Sequence, residues 1–290
     1  PEPARVCWKR WVPHPVAWHD QASVFTPGVC MDQASIDQAV ASLLDDFESW
    51  REFSLMTQPF APQTEDDAYA VQAGFMGARA AGGVFSGYKI AWSTPVMQER
   101  VGASEPVYGR LLESQVLTSP AAVSMSRYLA FGIECEVAVR LGRDLAGENL
   151  AEEEVMDAVA EVMLAFELVD SRGWTGPRTP VQSIAMNISS AGAVLGEPVA
   201  DWRELDLAAA ECRLSIDDAW VASGWGSDVG GHPVAPVGWL AGRLARQGST
   251  LREGDVVITG SMIPPQFPQP GVTARLDMAG LGSITLDIGS

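Results

Sequence analysis

The sequence is short of cysteine, histidine and positive charge, and each shortage removes a class of function. Its four cysteines, Cys7, Cys30, Cys135 and Cys212, are scattered without a CxxC pair. That argues against a disulfide framework or a cysteine-ligated zinc site and leads to the expectation of a reducing, cytoplasmic setting. Lysine and arginine number 19 against 37 aspartates and glutamates, a formal charge of −18. Nucleic acid and anionic membrane surfaces recruit clustered cations, so neither is expected as a partner. No apolar run reaches the roughly 20 residues that cross a bilayer. The chain starts at Pro1, so an initiator Met or a longer leader is expected upstream, and the first residues lack a signal-peptide apolar region. Gly224-Trp225-Gly226 has no following Lys or helix start, which leaves no phosphate loop, and Ser171, Ser189 and Ser261 sit outside any nucleophile-elbow context. Of three histidines, His14 and His19 fall in no motif, and His232 in Gly-His-Pro stays open as a ligand or base.

What remains is a chain of 290 residues, 47% hydrophobic, long enough for a substantial core. Residues 1–30 are irregular and proline-bearing, yet Trp8, Trp11 and Trp18 predict an arm packed on its own domain or on a neighbouring subunit. From Asp32 the spacing of Ile36, Val40, Leu43, Leu44 and Phe47 predicts a helix. A second starts after Pro62 with Thr64 as N-cap and stops at Gly82-Gly83. Strands then dominate. Val84 to Trp92 is β-like around a lone Lys89, Ala151 to Met163 reads as an amphipathic helix, and 172–191 as a long loop. A hairpin is predicted at Asp217-Asp218, a helix over Pro236 to Arg246, and strands from Asp255, Val272 and Ser283. The order is helical start, then β-rich body: an α+β chain with an arm and helical segment over 1–83 and a β-rich catalytic part over 84–290.

The chemistry concentrates in Phe131 to Val139. On a strand, side chains alternate, so Glu134 and Glu136 share one face and Ile133, Cys135, Val137 and Val139 the other. Two like charges about 7 Å apart on an apolar strand call for a cation between them. Hard divalent cations such as Mg²⁺ and Mn²⁺ choose carboxylate oxygens. Glu167, alone in the apolar run Met163 to Asp170, is the third candidate ligand.

Several separated motifs, in order, resemble the 2-keto-4-pentenoate hydratase / 4-oxalocrotonate decarboxylase branch of the fumarylacetoacetate hydrolase superfamily. They are Gly87-Tyr88-Lys89-Ile90 with Thr94-Pro95, Pro106 with Gly109, Ile133 to Ala138, Gly142-Arg143-Asp144-Leu145, and Ala165 to Arg172. After these come Gly226-Ser227, Gly231-His232-Pro233, Trp239-Leu240-Ala241, Gly254 to Ser261 and Gly280 to Ser283. The resemblance covers roughly 65–290. It implies a helical segment followed by a mixed β-sandwich roll, and one divalent cation, Mg²⁺ or Mn²⁺, on Glu134, Glu136 and Glu167. It implies Lys89 and Ser189 as catalytic groups, and Val107, Tyr108, Met186, Asn187 and Ser261 as substrate-pocket residues. The implied substrate is a small 2-oxo acid or its dienol, and the implied assembly a homo-oligomer. The implied activity is first a hydratase, with vinylogous 2-oxo acid decarboxylation, C–C hydrolysis or keto–enol tautomerisation, and last a non-catalytic binding protein, as alternatives. Two positions depart from the pattern: Val107 and Met186 stand where relatives carry aspartates.

Overall fold

A computed structural model describes residues 30–173 and 179–290. The tryptophans of the arm, with Cys7, His14 and His19, lie outside the described residues. Helix α1 (Gln33–Glu48) begins where the Asp32 carboxylate accepts the Ser35 N–H at 2.8 Å. Helix α2 (Glu65–Ala80) is capped by Thr64 and carries Glu65, Asp66 and Asp67 in its first turn, where the helix dipole favours them. Asp67 also accepts the N–H groups of Cys30 and Met31 at 2.7 and 2.9 Å, which ties the chain entry to this helix. Phe75 packs edge-on against Phe47 and Phe53 between the helices.

Among the described residues twelve strands follow in two mixed sheets. In order they are β1 (Phe85–Ala91), β2 (Val107–Leu112), β3 (Val116–Thr118), β4 (Ala121–Ser124), β5 (Phe131–Leu141), β6 (Val159–Asp170) and β7 (Ser190–Leu195). The rest are β8 (Glu211–Ile216), β9 (Ala219–Trp225), β10 (Val256–Gln266), β11 (Val272–Met278) and β12 (Gly282–Gly289). The seven-stranded sheet runs β2-β1-β10-β5-β6-β7-β3, the five-stranded sheet β4-β12-β11-β8-β9. Near its edges β2 meets β7, so the larger sheet curls into a roll. The helices α3 (Pro95–Val101), α4 (Glu152–Ala158), α5 (Pro180–Ala185) and α6 (Pro236–Arg246) fill the connections. Among the described residues no helix is long and apolar enough to cross a membrane.

Strand alternation decides what each face of β5 and β6 does. Cys135, Val137, Val139, Leu164, Phe166 and Leu168 are all buried in the main core, which also takes in the β11 and β12 side chains Ala274, Leu276, Ile284 and Leu286. The opposite face carries Glu134, Glu136 and Glu167 above a second, smaller apolar cluster that includes Ala138, Met163, Ala165, Ala193 and Ile258. Arg172, just past β6, fastens the helical segment to this sheet. Its Nη2 donates to the carbonyls of Asp46, Phe47 and Arg51 at 2.9, 3.2 and 2.9 Å, at the C-terminal end of α1.

Two sequence expectations are corrected. The helix expected over Ala151 to Met163 stops at Ala158, and Val159 already belongs to β6. Val155, Met156, Val159 and Met163 fit a helical period, but the β-branched Val159 and Val162 satisfy burial in a central strand instead. The stretch expected as a loop over 172–191 contains α5, a 3₁₀ turn at Asn187–Ser189 and the start of β7. The expected hairpin is present: Asp217 and Asp218 take φ of 48° and 64° between β8 and β9, as a two-residue type I′ turn requires.

Candidate active site

Register assembles the cluster. Glu134 on β5 lies directly opposite Glu167 on β6, and Glu136 is two residues along the same face. Carboxylate oxygens of all three lie within 4.8 Å of one another. Glu136 is 1% and Glu167 0% exposed, whereas Glu134 is half-buried and forms the open side. Lys89 arrives from β1, 2% exposed, with Nζ 3.1 Å from each oxygen of Glu167. Glu136 Oε2 accepts the Gly260 N–H at 2.7 Å. Gly260 sits at φ 130°, and a Cβ there would lie 2.5 Å from the Ser93 hydroxyl, so this close approach needs glycine.

These residues fit a divalent cation. Three carboxylates and one ammonium sum to −2. Glu136 Oε1 is buried without a hydrogen bond, and Glu167 Oε1 has the Lys89 ammonium beside it but no hydrogen bond of proper geometry; the first in a native interior asks for a missing partner. Burial pushes Glu167 up to about 8, with Lys89 pulling down and Glu134 pushing up. Burial also lifts Glu136 well above the carboxylate range, reinforced by Glu167 and Glu134 and opposed by Lys89 and the Gly260 N–H. For Lys89, burial favours loss of the proton, but Glu167, then Glu134 and Glu136, outweigh it and raise its pKa.

A pH dependence follows, with a definite sign. A carboxyl raised in the fold makes the folded chain bind more protons than the unfolded one, so its contribution is present below the ordinary pKa and lost as pH climbs through the raised value. For Glu167 that window runs from 4.5 to about 8. In EDTA the melting temperature should therefore fall across this window. Saturating Mg²⁺ should flatten the fall, because a cation needs the deprotonated ligands. Thermal melts from pH 5 to 8, with and without Mg²⁺, check this. Parallel curves would contradict it.

The other expected site residues divide. Gly109 pairs with Lys89 and Val107 with Ala91, so Val107 lies on the Lys89 face of β2, fully buried. Tyr108 lies on the opposite face by alternation. Its ring stacks on Tyr69 with centroids 4.4 Å apart, and its hydroxyl bonds Gln247. It is thus turned away from Lys89. Asn187 is buried and acts as a surrogate strand: its Oδ1 accepts the Arg110 N–H at 2.7 Å and its Nδ2 donates to the Arg110 carbonyl at 3.0 Å. A Cβ on Gly109 would stand 3.0 Å from Asn187 O and Oδ1, which places Asn187 over the strand position facing Lys89. Ser189 is half-buried in the turn after it, and Met186 packs partly buried against the main core. The Ser261 hydroxyl is occupied by the backbone: it donates to Ile263 O at 2.6 Å and accepts the Cys135 N–H at 3.2 Å, stapling the irregular β5–β10 pairing. The Gly260 N–H and Ser190 were not singled out from sequence. The Thr259-Gly260-Ser261 stretch carried a signal for the first, and nothing carried one for the second. A groove of about 410 Å³ between α4 and α6, lined by Leu150, Met156, Trp239 and Arg246, contains none of these residues.

The chain matches the family model for the fumarylacetoacetate (FAA) hydrolase C-terminal region over residues 96–288. It is 31% identical to the 2-keto-4-pentenoate hydratase of Paraburkholderia xenovorans strain LB400 over 255 residues, 88% of this chain and 95% of that one. It is 31% identical to the 2-hydroxyhexa-2,4-dienoate hydratase of Comamonas testosteroni over 264 residues, 88% and 98% of the two chains. Its fold matches the 4-oxalocrotonate decarboxylase of Pseudomonas putida G7, solved with magnesium and adipate, at a TM-score of 0.85 and 24% identity over 90% of this chain and 100% of that one.

Proposed function

The chain belongs to the fumarylacetoacetate hydrolase family, and on that footing we propose that it is a divalent-cation-dependent hydro-lyase acting on a small 2-oxo acid or its dienol. One observation carries the reading: three carboxylates and one lysine converge on a single face of the rolled sheet. The relatives named 2-keto-4-pentenoate hydratase and 2-hydroxyhexa-2,4-dienoate hydratase support it. Glu134, Glu136 and Glu167 would hold the cation, Mg²⁺ or Mn²⁺. Once bound, it supplies Lewis-acid stabilisation of negative charge developing on a substrate oxygen.

The chain's own residues do the rest. Lys89 keeps a proton at Nζ against its burial and is placed to give it to, or take it from, the substrate. The Gly260 N–H fixes Glu136, and the apolar floor of Ala138, Met163 and Ala165 keeps water from reaching the carboxylates from below. A second reading, decarboxylation of a vinylogous 2-oxo acid, is favoured by Val107. The Lys89 face of β2 offers an apolar side chain there, and adding water calls for an acid or base that loss of CO₂ does not.

Incubation with the five-carbon dienoate decides between them. Consumption without CO₂ release, abolished by EDTA and restored by Mg²⁺, is the expected outcome. CO₂ release from an oxalocrotonate-type diacid with no turnover of the dienoate would overturn the hydratase reading. Val107→Asp should raise dienoate turnover if the missing carboxylate limits the wild type, by up to the roughly 10²–10⁴-fold that a positioned proton-transfer group contributes.

A further inference from the structure

We propose that Ser190 is a positioning residue for the cation-binding carboxylate of Glu167. This inference rests on the cation reading above. The first observation is a break in strand register. On β7 and β6, Ala193 pairs with Glu167 and Gly192 with Leu168, but Val169 is then met by Ser190 rather than Ala191. In regular pairing Ser190 would sit opposite Asp170 and point to the far side. The extra residue at Ala191 shifts it by one, onto the face of Val169 and therefore of Glu167. A bulge that re-aims one side chain beside a functional cluster is a recognised use of the device.

The second observation is that the re-aimed hydroxyl has nothing else to do. Ser190 is 7% exposed, and its Oγ is buried without a hydrogen bond of proper geometry. Glu167 Oε1, on the neighbouring strand and the same face, has the Lys89 ammonium 3.1 Å away but no hydrogen bond of proper geometry, so it keeps acceptor capacity. Ser190 pairs with Val169, two residues along β6 from Glu167, so the hydroxyl and the carboxylate are diagonal neighbours on one face. The unmatched hydroxyl donor and the spare lone pair of Glu167 Oε1 answer each other, and a hydroxyl donating to one lobe of a carboxylate fixes the direction of its remaining lone pairs.

The third observation concerns how the hydroxyl is delivered. Asn187, Ile188 and Ser189 take φ of 53°, 53° and 58° in succession, none of them glycine. Left-handed backbone costs about 1–2 kcal/mol per residue, so such a run persists only where its surroundings enforce it. Here the two hydrogen bonds between the Asn187 amide and the Arg110 backbone, with the burial of Ile188, do so. The turn ends at Ser190, on the first residue of β7.

Ser190→Ala and Ser190→Thr in the full chain test the proposal, with Mg²⁺ binding followed by titration calorimetry and melting measured in EDTA. Ser190→Ala should bind Mg²⁺ about 10–100-fold more weakly, the usual effect of losing an outer-shell partner. Ser190→Thr, which keeps the hydroxyl, should bind within a few-fold of wild type, and both should melt in EDTA close to wild type. Wild-type affinity in Ser190→Ala, or equal weakening in both variants, would overturn the proposal. A wild-type chain that binds no Mg²⁺ would instead remove the cation reading itself.

Discussion

Lys89→Ala is expected to lower kcat by about 10²–10⁴-fold while the chain continues to bind Mg²⁺, the range a positioned proton-transfer group contributes. The two halves of that outcome have separate causes. Lys89 is the cation held against Glu167 at 3.1 Å, on a strand otherwise apolar around it, and it is 2% exposed. Without it, no other ammonium or guanidinium among the described residues pairs with the three carboxylates. The metal-free variant then keeps three clustered carboxylates, two of them buried, without a compensating cation. Removing one partner of a buried pair typically costs about 3–5 kcal/mol, so its melting temperature in EDTA should drop, most at high pH where the carboxyls would otherwise ionise. A cation neutralises the same carboxylates, so Mg²⁺ should bind at least as tightly as to wild type. Near-wild-type kcat would remove Lys89 from the mechanism. Loss of Mg²⁺ binding together with turnover would recast it as a structural support of the cluster.

How much of this could be read from the chain depends on the range of the interaction. That Glu134 and Glu136 share a face follows from the two-residue period of a strand, and their apolar neighbours identify the strand. Glu167 was legible only as one carboxylate in an apolar run. That it lies opposite Glu134 is set by pairing between β5 and β6, and no local pattern encodes that pairing. The direction of Tyr108 has the same origin. Its parity relative to Lys89 depends on which residue of β2 meets which residue of β1, and a shift by one would exchange Tyr108 with Gly109. The end of α4 was misplaced because helix and strand periods both fit Val155 to Met163, and the competition is settled by burial in the sheet. The left-handed turn at 187–189 had no local signal beyond Asn187, which tolerates that conformation. Its cause is tertiary, the clasp on Arg110. The function-bearing details hidden from the sequence are thus those made by register and bulges rather than by composition.

Glu136→Gln is expected to act in opposite directions on the two forms of the protein, which makes it the sharpest test of the cation site. Glu136 suits the test better than its neighbours. Glutamine at 167 would strand Lys89, and Glu134 is only half-buried, so its removal relieves less. At 136 the glutamine carbonyl can keep the 2.7 Å bond from the Gly260 N–H, and the amide nitrogen takes the place of Oε1, which makes no hydrogen bond now. A neutral donor then faces Glu134 and Glu167 where a third like charge stood. In EDTA at pH 8 the variant should melt higher than wild type. Mg²⁺ reverses the order, because an amide is a poor substitute for a carboxylate among the hard oxygen ligands the ion requires. At a hundred times its Kd the ion should stabilise wild type by about 2.7 kcal/mol. At about 2–4 °C per kcal/mol for chains of 150–250 residues, that is a shift of several degrees. Glu136→Gln should show little of it over the same Mg²⁺ range. A Mg²⁺-induced shift as large as wild type would place the ion elsewhere. A lower melting temperature in EDTA would mean that the Glu136 charge has a stabilising partner besides Lys89 and the Gly260 N–H, and the crowding of like charges would no longer argue for a cation on this face.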